Sequence, residues 1–243
     1  MATVRYDDRT AEEYRLAREV PRAGLEAWRL AIAAAAPLTP GMTVLDVGAG
    51  TGAFATAFRD WFSVRVLAVE PAEAMRALIP SGAGIDALDG RADALPVPDG
   101  CADAAWLGSV LHHLPDLEAA ARELRRALKP GAPVLVRNVF PGRCDRDLRV
   151  RYFPETARGI EGYPTVEQTC AAFAAAGFSR VSLESVPQRS APNLAEFAAK
   201  IRRDTDSKLR SLSDEEFDRG MARLRAADPA EPATSWMDLL VLA

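Results

Sequence analysis

Short apolar runs alternate with amphipathic segments through the middle of this chain. Five of the apolar runs predict strands, at 43–47, 65–69, 85–88, 103–108 and 133–138. Four amphipathic segments predict helices, at 52–61, 72–78, 116–128 and 166–176. Because such alternation is typical of βαβ units, we expect an α/β fold with a Rossmann-like, doubly wound, mostly parallel sheet that helices cover on both faces.

The pattern changes in the last third of the chain. Residues 178–186 and 236–242 predict two further strands, which fit an antiparallel C-terminal edge on the sheet. Two amphipathic helices are predicted between them, near 193–203 and 214–226. We therefore expect a helical insertion at 190–227 that has room to cover a pocket.

The first forty residues predict helices as well. Thr10 and Glu13 stand at capping-box spacing, which predicts a helix over 11–18. Pro21 separates it from a second helix that runs to about residue 36. We expect one domain in three parts, namely an N-terminal helical lid at 1–40, a ligand-binding core at 41–140, and substrate-side loops, the insertion and the final strands at 141–243.

Composition and charge narrow the class of protein. The 243 residues are 49% apolar, which is enough for a sizeable core, and the net charge of −4 argues against a dedicated nucleic-acid surface. The three cysteines form no Cys-x-x-Cys pair, and no dense cluster of metal ligands stands out. Residues 1–14 are too polar for a signal peptide, and the apolar stretch 31–38 is too short to span a bilayer. We expect a cytoplasmic monomer or homodimer with a small-molecule substrate, no resident metal, and no nucleic-acid or membrane partner.

The most informative stretch is VLDVGAGTG at 44–52. A predicted strand ends there in a glycine-rich turn, and a predicted helix follows. Glycine has no Cβ atom, so Gly48 and Gly50 allow a sharp turn and let a ligand touch the backbone. Glu70 closes the next predicted strand, so the turn and the tip of that strand should face one ligand.

Three acidic residues end or follow neighbouring predicted strands. Asp46 lies two residues before the first glycine, where a carboxylate would repel a pyrophosphate but suits a ligand that carries an ammonium group. Glu70 is placed to accept hydrogen bonds from both hydroxyls of a ribose. Asp93 follows the third predicted strand and suits an exocyclic amine, as on adenine. Together they indicate a nucleoside joined to a zwitterionic group.

Four motifs stand in a characteristic order along the chain. They are the glycine run, the pair Glu70-Pro71, GRADALPVPDGCAD at 90–103 and WLGSVLHHLPD at 106–116. In this order and spacing they resemble the class I S-adenosylmethionine-dependent methyltransferases, and in particular the type 11-like small-molecule branch. The resemblance implies S-adenosylmethionine as cofactor, S-adenosylhomocysteine as product, and methyl transfer to a small organic molecule whose acceptor atom is oxygen, nitrogen or carbon.

The resemblance also implies a set of cofactor-binding residues. They are Tyr14, Arg18, Asp46, Gly48, Ala49, Gly50, Glu70, Pro71, Asp93, Ala94, Leu107 and Gly108. By this resemblance Glu70 would hold the ribose, and Asp93 with the backbone after it would contact the adenine. Asp46 would lie near the methionine ammonium group, as would the strand-end carbonyls at Leu107 or Gly108. The two N-terminal residues of the set would approach the methionine carboxylate.

His112 and His113 are the two histidines of the chain, and they follow the fourth predicted strand. Histidine is the usual proton acceptor near neutral pH, so one of them is a candidate general base. Adjacent residues on an α-helix point about 100° apart, so at most one of the two should face the pocket. The alternative is that both serve in helix packing or capping.

Other interpretations of the same motifs stay open. Gly48-x-Gly50-x-x-Ala53 also fits a dinucleotide fingerprint, although Asp46 and Asp93 would then have no evident task. An enzyme that retains the cofactor for an isomerisation or a cyclisation would carry the same binding motifs. So would a regulatory or scaffold protein with a degenerate pocket.

Arginines crowd the segment after the fifth predicted strand. They are Arg143, Arg146, Arg149 and Arg151. They form either a solvated loop or a surface that recognises an acidic substrate. In the second interpretation, Tyr152, Phe153 and Tyr163 would supply an aromatic wall beside them.

Overall fold

The computed structural model describes residues 22–203 and 208–243, and a seven-stranded sheet runs through them. The strands are β1 (Thr43–Val47), β2 (Arg65–Val69), β3 (Ile85–Leu88), β4 (Ala104–Gly108), β5 (Val134–Asn138), β6 (Arg180–Ala191) and β7 (Ala233–Leu242). Their order across the sheet is β3-β2-β1-β4-β5-β7-β6. Strands β1 to β5 are parallel, and β7 pairs antiparallel with both β5 and β6. The predicted α/β fold with an antiparallel C-terminal edge is confirmed.

Helices connect and cover these strands. In the described part of the chain they are α1 (Glu26–Ala35), α2 (Ala53–Phe62), α3 (Glu73–Arg76), α4 (Leu117–Ala127), α5 (Leu148–Tyr152), α6 (Ala157–Glu161), α7 (Val166–Ala174), α8 (Leu194–Lys200) and α9 (Asp214–Ala226). Single 3₁₀ turns lie at Arg22–Leu25, Leu111–His113, Pro154–Thr156 and Leu209–Ser211. The helix predicted at 11–18 lies outside the described residues.

Side-chain caps set the first residue of several helices. The Asp116 carboxylate accepts a hydrogen bond from the Ala119 N–H at 2.9 Å and so begins α4. Ser213 and Glu216 form a reciprocal capping box at the start of α9. These caps satisfy backbone N–H groups that have no partner within the helix, so the polar residues before each helix determine where it begins.

Strand side chains alternate between two apolar cores, one on each face of the sheet. Val47 packs in the core that α4 and α7 cover. Val44 packs in the other core, with Trp28 of α1 and side chains of α2. Because the side-chain period of a strand is two, Asp46 lies on the same face as Val44 and Trp106.

The order of the strands leaves a crevice between β1 and β4. Strands β2 and β3 lie on one side of β1, whereas β5 lies beyond β4, so the chain leaves β1 and β4 in opposite directions across the sheet. Ligands of open α/β sheets bind at the carboxyl ends of the strands at such a reversal. The glycine turn and the 3₁₀ turn Leu111–His113 both begin at this point.

The insertion between β6 and β7 lies at the same edge of the sheet. Since β7 is antiparallel to β5 and β6 is antiparallel to β7, β6 ends where β1 to β5 end. Helices α8 and α9 pack against α5 in a separate apolar cluster that includes Phe153, Leu194 and Leu224. The two strands reach further toward the insertion than predicted, to Ala191 and from Ala233, because they pair with each other over this length.

Candidate active site

The glycine turn after β1 rests on the end of β2. The N–H groups of Gly48 and Ala49 donate to the Val69 carbonyl at 2.8 and 3.1 Å. Gly48 and Gly50 have φ angles of +72° and +57°, which residues with a Cβ atom rarely adopt. A Cβ atom at Gly48 would lie 2.4 Å from Val110 Cγ2, whereas one at Gly50 would meet nothing within 4 Å. The absence of a side chain at Gly48 therefore makes room for the segment after β4. Beside the Gly50 backbone there is open space for a ligand.

Glu70 ties the glycine turn to the tip of β2. Its two carboxylate oxygens accept hydrogen bonds of 2.9 Å, one from the Gly50 N–H and one from the Ala72 N–H. Burial raises the pKa of Glu70, and the hydrogen bonds from Ala72 and Gly50 oppose that rise. A carboxylate oxygen can accept more than one hydrogen bond, so both oxygens can also accept from ribose hydroxyls. Pro71 follows at the tip and is exposed.

Asp46 is the most deeply buried carboxyl group of the site. It is 2% exposed, and its Oδ2 atom has no hydrogen-bond partner among the residues that the structure describes. Burial raises the pKa of Asp46 to about 7, the charge of Glu70 raises it further, and a hydrogen bond from the Ala55 backbone opposes the rise. A cation beside Oδ2 would offset the cost of burying this charge. The carboxyl group therefore fits the ammonium group of a zwitterionic cofactor.

Asp93 and Ala94 lie in a tight turn after β3. Arg91 binds the Asp93 carboxylate through two hydrogen bonds, from Nε at 2.9 Å and from Nη2 at 2.8 Å. The hydrogen bond from Arg91 lowers the pKa of Asp93, so the group is charged at neutral pH. The Ala94 N–H donates to the Arg91 carbonyl at 3.1 Å. The turn thus presents a half-buried carboxylate, and the assignment of both residues to adenine stays a prediction.

The end of β4 is closely packed and strained. Leu107 is fully buried, and a Cβ atom at Gly108 would lie 2.7 Å from the indole Nε1 of Trp106. Ser109 follows with a φ of +58°, an unusual value for a residue with a side chain. Strained backbone of this kind concentrates at functional sites. Here it turns the chain directly from β4 into the segment that packs on Gly48.

A polar network that the sequence patterns did not predict lies beside this turn. Arg137 of β5 donates from Nη1 to Ser109 Oγ at 3.0 Å and from Nη2 to Gln188 Oε1 at 2.5 Å. Its guanidinium also lies 5.1 Å from the ring centroid of Trp28 and 5.3 Å from that of Phe54. The signal was present in the sequence, because a charged residue interrupts an otherwise apolar strand. The network holds the strained turn after β4 in place.

The two histidines occupy the 3₁₀ turn after β4 and not an α-helix. Their rings do not diverge as α-helical neighbours would, since the ring centroids of His112 and His113 are 4.0 Å apart. His112 is half-buried and its Nδ1 atom is buried, whereas His113 is exposed. Tyr163 stacks on His112 with a centroid distance of 4.0 Å and an interplanar angle of 5°. The site therefore holds one exposed imidazole and one half-buried imidazole that contacts two other rings.

The arginine-rich segment is solvated in part, because Arg143, Arg146 and Arg151 are exposed. It contains α5, and the side chains engage other parts of the chain. Arg143 donates to the buried carboxylate of Asp238 at 2.6 Å. The Arg146 guanidinium lies 3.4 Å from the centroid of the Trp236 ring. These contacts join the segment to β7, and recognition of an acidic substrate by it stays a prediction.

The remaining predicted residues fall in different places. Tyr14 and Arg18 lie outside the described residues. Tyr152 and Phe153 are buried in the apolar cluster beneath the insertion, so the expected wall of three aromatic residues does not form. Tyr163 is the one of the three that reaches a candidate catalytic side chain.

Known proteins are similar to this chain in sequence and in fold. The methyltransferase domain model matches residues 45–136. The 2-methyl-6-phytyl-1,4-hydroquinone methyltransferase of Synechocystis is 34% identical over 120 residues, which are 48% of this chain and 37% of that protein. The demethylmenaquinone methyltransferase of Mycolicibacterium paratuberculosis is 30% identical over 174 residues, which are 65% of this chain and 70% of that protein. The structure of Haemonchus contortus phosphoethanolamine N-methyltransferase 2 with S-adenosylhomocysteine matches with a TM-score of 0.64 at 20% identity, over 98% of this chain and 58% of that one.

This chain belongs to the class I S-adenosylmethionine-dependent methyltransferases. The cofactor of that family combines adenine, ribose and an amino acid, which are the groups that the acidic residues at the strand ends suit. The chain spans 37% of the length of the Synechocystis relative. In 22–203 and 208–243, none of the helices combines the length and the apolar character needed to cross a membrane.

Proposed function

We propose that this protein transfers a methyl group from S-adenosylmethionine to a small organic molecule. The observation that carries the proposal is the buried Asp46, whose Oδ2 atom has no partner among the described residues at the point where the family holds the methionine ammonium group. Glu70 supports it, because its carboxylate is already fixed at the tip of β2. A glycine-rich turn with a purely structural role would need neither the unpartnered oxygen of Asp46 nor the fixed carboxylate of Glu70.

In this proposal the residues of the crevice bind and orient the two reactants. Glu70 holds the ribose, Asp46 holds the ammonium group, and Asp93 contacts the adenine. The bound cofactor supplies an electrophilic methyl group on a sulfonium centre. Because that group is already reactive, the protein acts mainly by orientation, which is worth roughly 7–11 kcal/mol when the geometry is good. The insertion between β6 and β7 lies at the same edge and can exclude water from the crevice.

A proton must leave acceptors such as a phenol or an amine. His112 and His113 lie after β4 at the carboxyl edge of the sheet. In this proposal, at most one of them serves as general base. Such a base contributes about 10²–10⁴-fold to the rate when the acceptor atom must lose a proton. An acceptor that reacts without losing a proton in the rate-limiting step would gain little from either histidine.

The first acceptors to test are hydroquinones. Both sequence relatives described above are named as methyltransferases of quinone-type compounds. Acceptor choice depends on loops and lids. Phenols, amines and activated carbon acids complete the panel because oxygen, nitrogen and carbon acceptors share this core.

Calorimetric titration with S-adenosylmethionine and S-adenosylhomocysteine tests the proposal. Wild-type protein should bind both, and Asp46→Ala and Glu70→Ala should each weaken binding by at least about tenfold, since one good polar contact is worth about 1.4 kcal/mol. Glu118→Ala is the matched control, because that carboxylate is exposed on α4 and pairs with Arg122 of the same helix. Normal binding by both site variants would refute the site.

Transfer of a labelled methyl group distinguishes a methyltransferase from an enzyme that retains the cofactor unchanged. Incorporation into an acceptor supports a methyltransferase. Tight binding of the cofactor with conversion of a substrate and no incorporation of label would instead support a cofactor-retaining isomerase or cyclase. Absence of cofactor binding would support a degenerate regulatory or scaffold protein.

A further inference from the structure

Helix α4 supports the loop that follows the turn assigned to the adenine in the proposed function. That turn lies at 93–94, and the loop comprises residues 95–99. The Leu95 N–H donates to Glu123 Oε2 at 2.8 Å, and the Leu95 carbonyl accepts from Arg126 Nη2 at 3.0 Å. Both backbone polar groups of Leu95 are therefore bound by side chains of one helix.

Arg126 holds the same loop at further points. Its Nη1 atom donates to the Val97 carbonyl and to the Asp99 carboxylate, both at 2.8 Å. Its own carbonyl accepts a hydrogen bond of 2.9 Å from the Gly100 N–H. The planar guanidinium thus binds the loop at every second residue. The ammonium group of a lysine is a compact point charge and does not reproduce such a fork of donors.

Glu123 and Arg126 also hold each other. The guanidinium donates from Nε to Glu123 Oε1 at 3.0 Å and from Nη2 to Glu123 Oε2 at 2.8 Å, which makes a bidentate ion pair. The hydrogen bond from Arg126 lowers the pKa of Glu123, so this carboxylate is charged at neutral pH. Both side chains are half-buried, and salt therefore screens the pair less than it screens an exposed one.

The loop and the turn before it form one packed unit. The Ala94 N–H donates to the Arg91 carbonyl at 3.1 Å, which closes the turn. The Pro96 ring packs on Gly90, where a Cβ atom would lie 2.4 Å from Pro96 Cδ. Leu95 is buried in the apolar core beneath the sheet. Because the loop is attached to the turn at both of its ends, a shift of the loop would move the turn.

We infer that Glu123 and Arg126 are positioning residues that hold the turn Asp93-Ala94 in place for the adenine of S-adenosylmethionine. The inference rests on the proposed function, because that function places the adenine on this turn. The pair acts through the backbone of the loop and not by contact with the cofactor. A site that is ordered before its ligand arrives pays less entropy on binding. The pair therefore contributes to cofactor affinity and not to the transfer of the methyl group.

Calorimetric titration with two ligands tests this role. The ligands are S-adenosylhomocysteine and its analogue without the 6-amino group of the adenine. Wild-type protein should prefer the first ligand several-fold, and Glu123→Ala should reduce this preference nearly as far as Asp93→Ala does. In an Asp93→Ala background, Glu123→Ala should have no further effect on the preference, because it acts only through the turn. A wild-type preference in Glu123→Ala would overturn the inference.

Variants of the same helix control for general effects. Glu118→Ala is the matched control, because this exposed glutamate of α4 pairs with Arg122, and it should keep the preference. Glu123→Gln retains an acceptor oxygen for the Leu95 N–H, so it should show a smaller loss than Glu123→Ala. Arg126→Lys keeps the charge and should still lose the preference. Thermal unfolding identifies any variant that does not fold, and full preference in both conservative variants would contradict the inference.

Steady-state kinetics with an active acceptor separate positioning from a general loss of structure. Glu123→Ala should raise the KM for S-adenosylmethionine several-fold with little change in kcat, because binding is lost equally from the ground state and the transition state. A lower kcat at an unchanged KM would be incompatible with a role at the adenine.

The two proposals fail in different ways. If S-adenosylhomocysteine binds and Asp93→Ala keeps the wild-type preference for the 6-amino group, the turn does not contact the adenine. The positioning role is then refuted, whereas the proposed methyl transfer stands. If S-adenosylhomocysteine and S-adenosylmethionine do not bind, the proposed function fails and the positioning role fails with it.

Discussion

The Glu70 carboxylate accepts a 2.9 Å hydrogen bond from the Gly50 N–H, which joins the tip of β2 directly to the glycine turn after β1. The Ala72 N–H holds the other carboxylate oxygen. In the proposed function, the acceptor for the ribose hydroxyls is thus oriented by the backbone of the folded chain. Such preorganisation lowers the cost of ordering the site when a ligand binds.

The Glu70 relationship predicts a ligand-specific loss. Wild-type protein should bind S-adenosylhomocysteine more tightly than its 2′-deoxy analogue by about 10- to 150-fold, because a hydrogen bond to a charged group contributes roughly 1.5–3 kcal/mol. Glu70→Ala should bind the two ligands almost equally. Calorimetric titration of both ligands into both proteins measures this coupling. Equal preference for the 2′-hydroxyl group in wild type and variant would show that Glu70 does not contact the ribose.

Asp46 predicts proton release on cofactor binding. Its pKa is raised to about 7, chiefly by burial, and a nearby ammonium group favours the carboxylate. Cofactor affinity should therefore rise as the pH increases toward about 7 and level off above it. Titrations below pH 7 in two buffers with different ionisation enthalpies should show release of a proton. Asp46→Asn should abolish that release, and its persistence in the variant would assign the proton to another group.

Asp46 also predicts how folding stability depends on pH. Because its folded pKa of about 7 lies above the ordinary value of 3.8, the folded state binds its proton more tightly than the unfolded state. This contribution is complete below about pH 4 and is lost as the pH rises to about 7, by roughly 1.4 kcal/mol per pH unit at most. Urea unfolding of wild type and Asp46→Asn at several pH values measures the difference. Parallel curves for the two proteins would contradict the prediction.

The two glycines of the turn should respond differently to alanine. Gly48→Ala places a Cβ atom 2.4 Å from Val110 Cγ2 and should destabilise the fold by about 1–3 kcal/mol or more, with partial rescue by Val110→Ala. Gly50→Ala meets no atom within 4 Å and should cost only about 1 kcal/mol from its backbone strain, but it should weaken cofactor binding. Thermal unfolding and calorimetric titration separate the two effects. Equal destabilisation by both changes would contradict this division.

Asp93 should affect the adenine and leave the fold intact. Its ion pair with Arg91 lies at the protein surface, so Asp93→Ala should change stability by less than about 1 kcal/mol. Binding of S-adenosylhomocysteine should weaken several-fold, since one hydrogen bond to the 6-amino group is lost. An analogue that lacks this amino group should bind the wild type and the variant equally. A loss of the same size for both ligands would exclude contact between Asp93 and the adenine amine.

Local patterns in the sequence were sufficient to predict the strands at the core of the fold. The first three strands have the predicted bounds, and the next two begin one residue later than predicted. Strands buried on both faces are short continuous apolar runs, and glycine at a positive φ marks a turn, so both features depend on near neighbours. The positions of Asp46 and Glu70 at the strand ends follow from the same local pattern.

Contacts between distant segments decided the rest of the site. Helices α5 and α6 have five residues each, which is too short for a clear periodic pattern. Arg137 meets Gln188 across 51 positions, and Tyr163 meets His112 from a different part of the chain. The sequence by itself determined the βαβ order, the turn and the acidic strand ends, because each is set by residues close together in the chain. Only the tertiary structure decided which imidazole is stacked and which arginines are paired. Packing brings those partners together from distant segments, and the sequence near one partner does not indicate where the other lies.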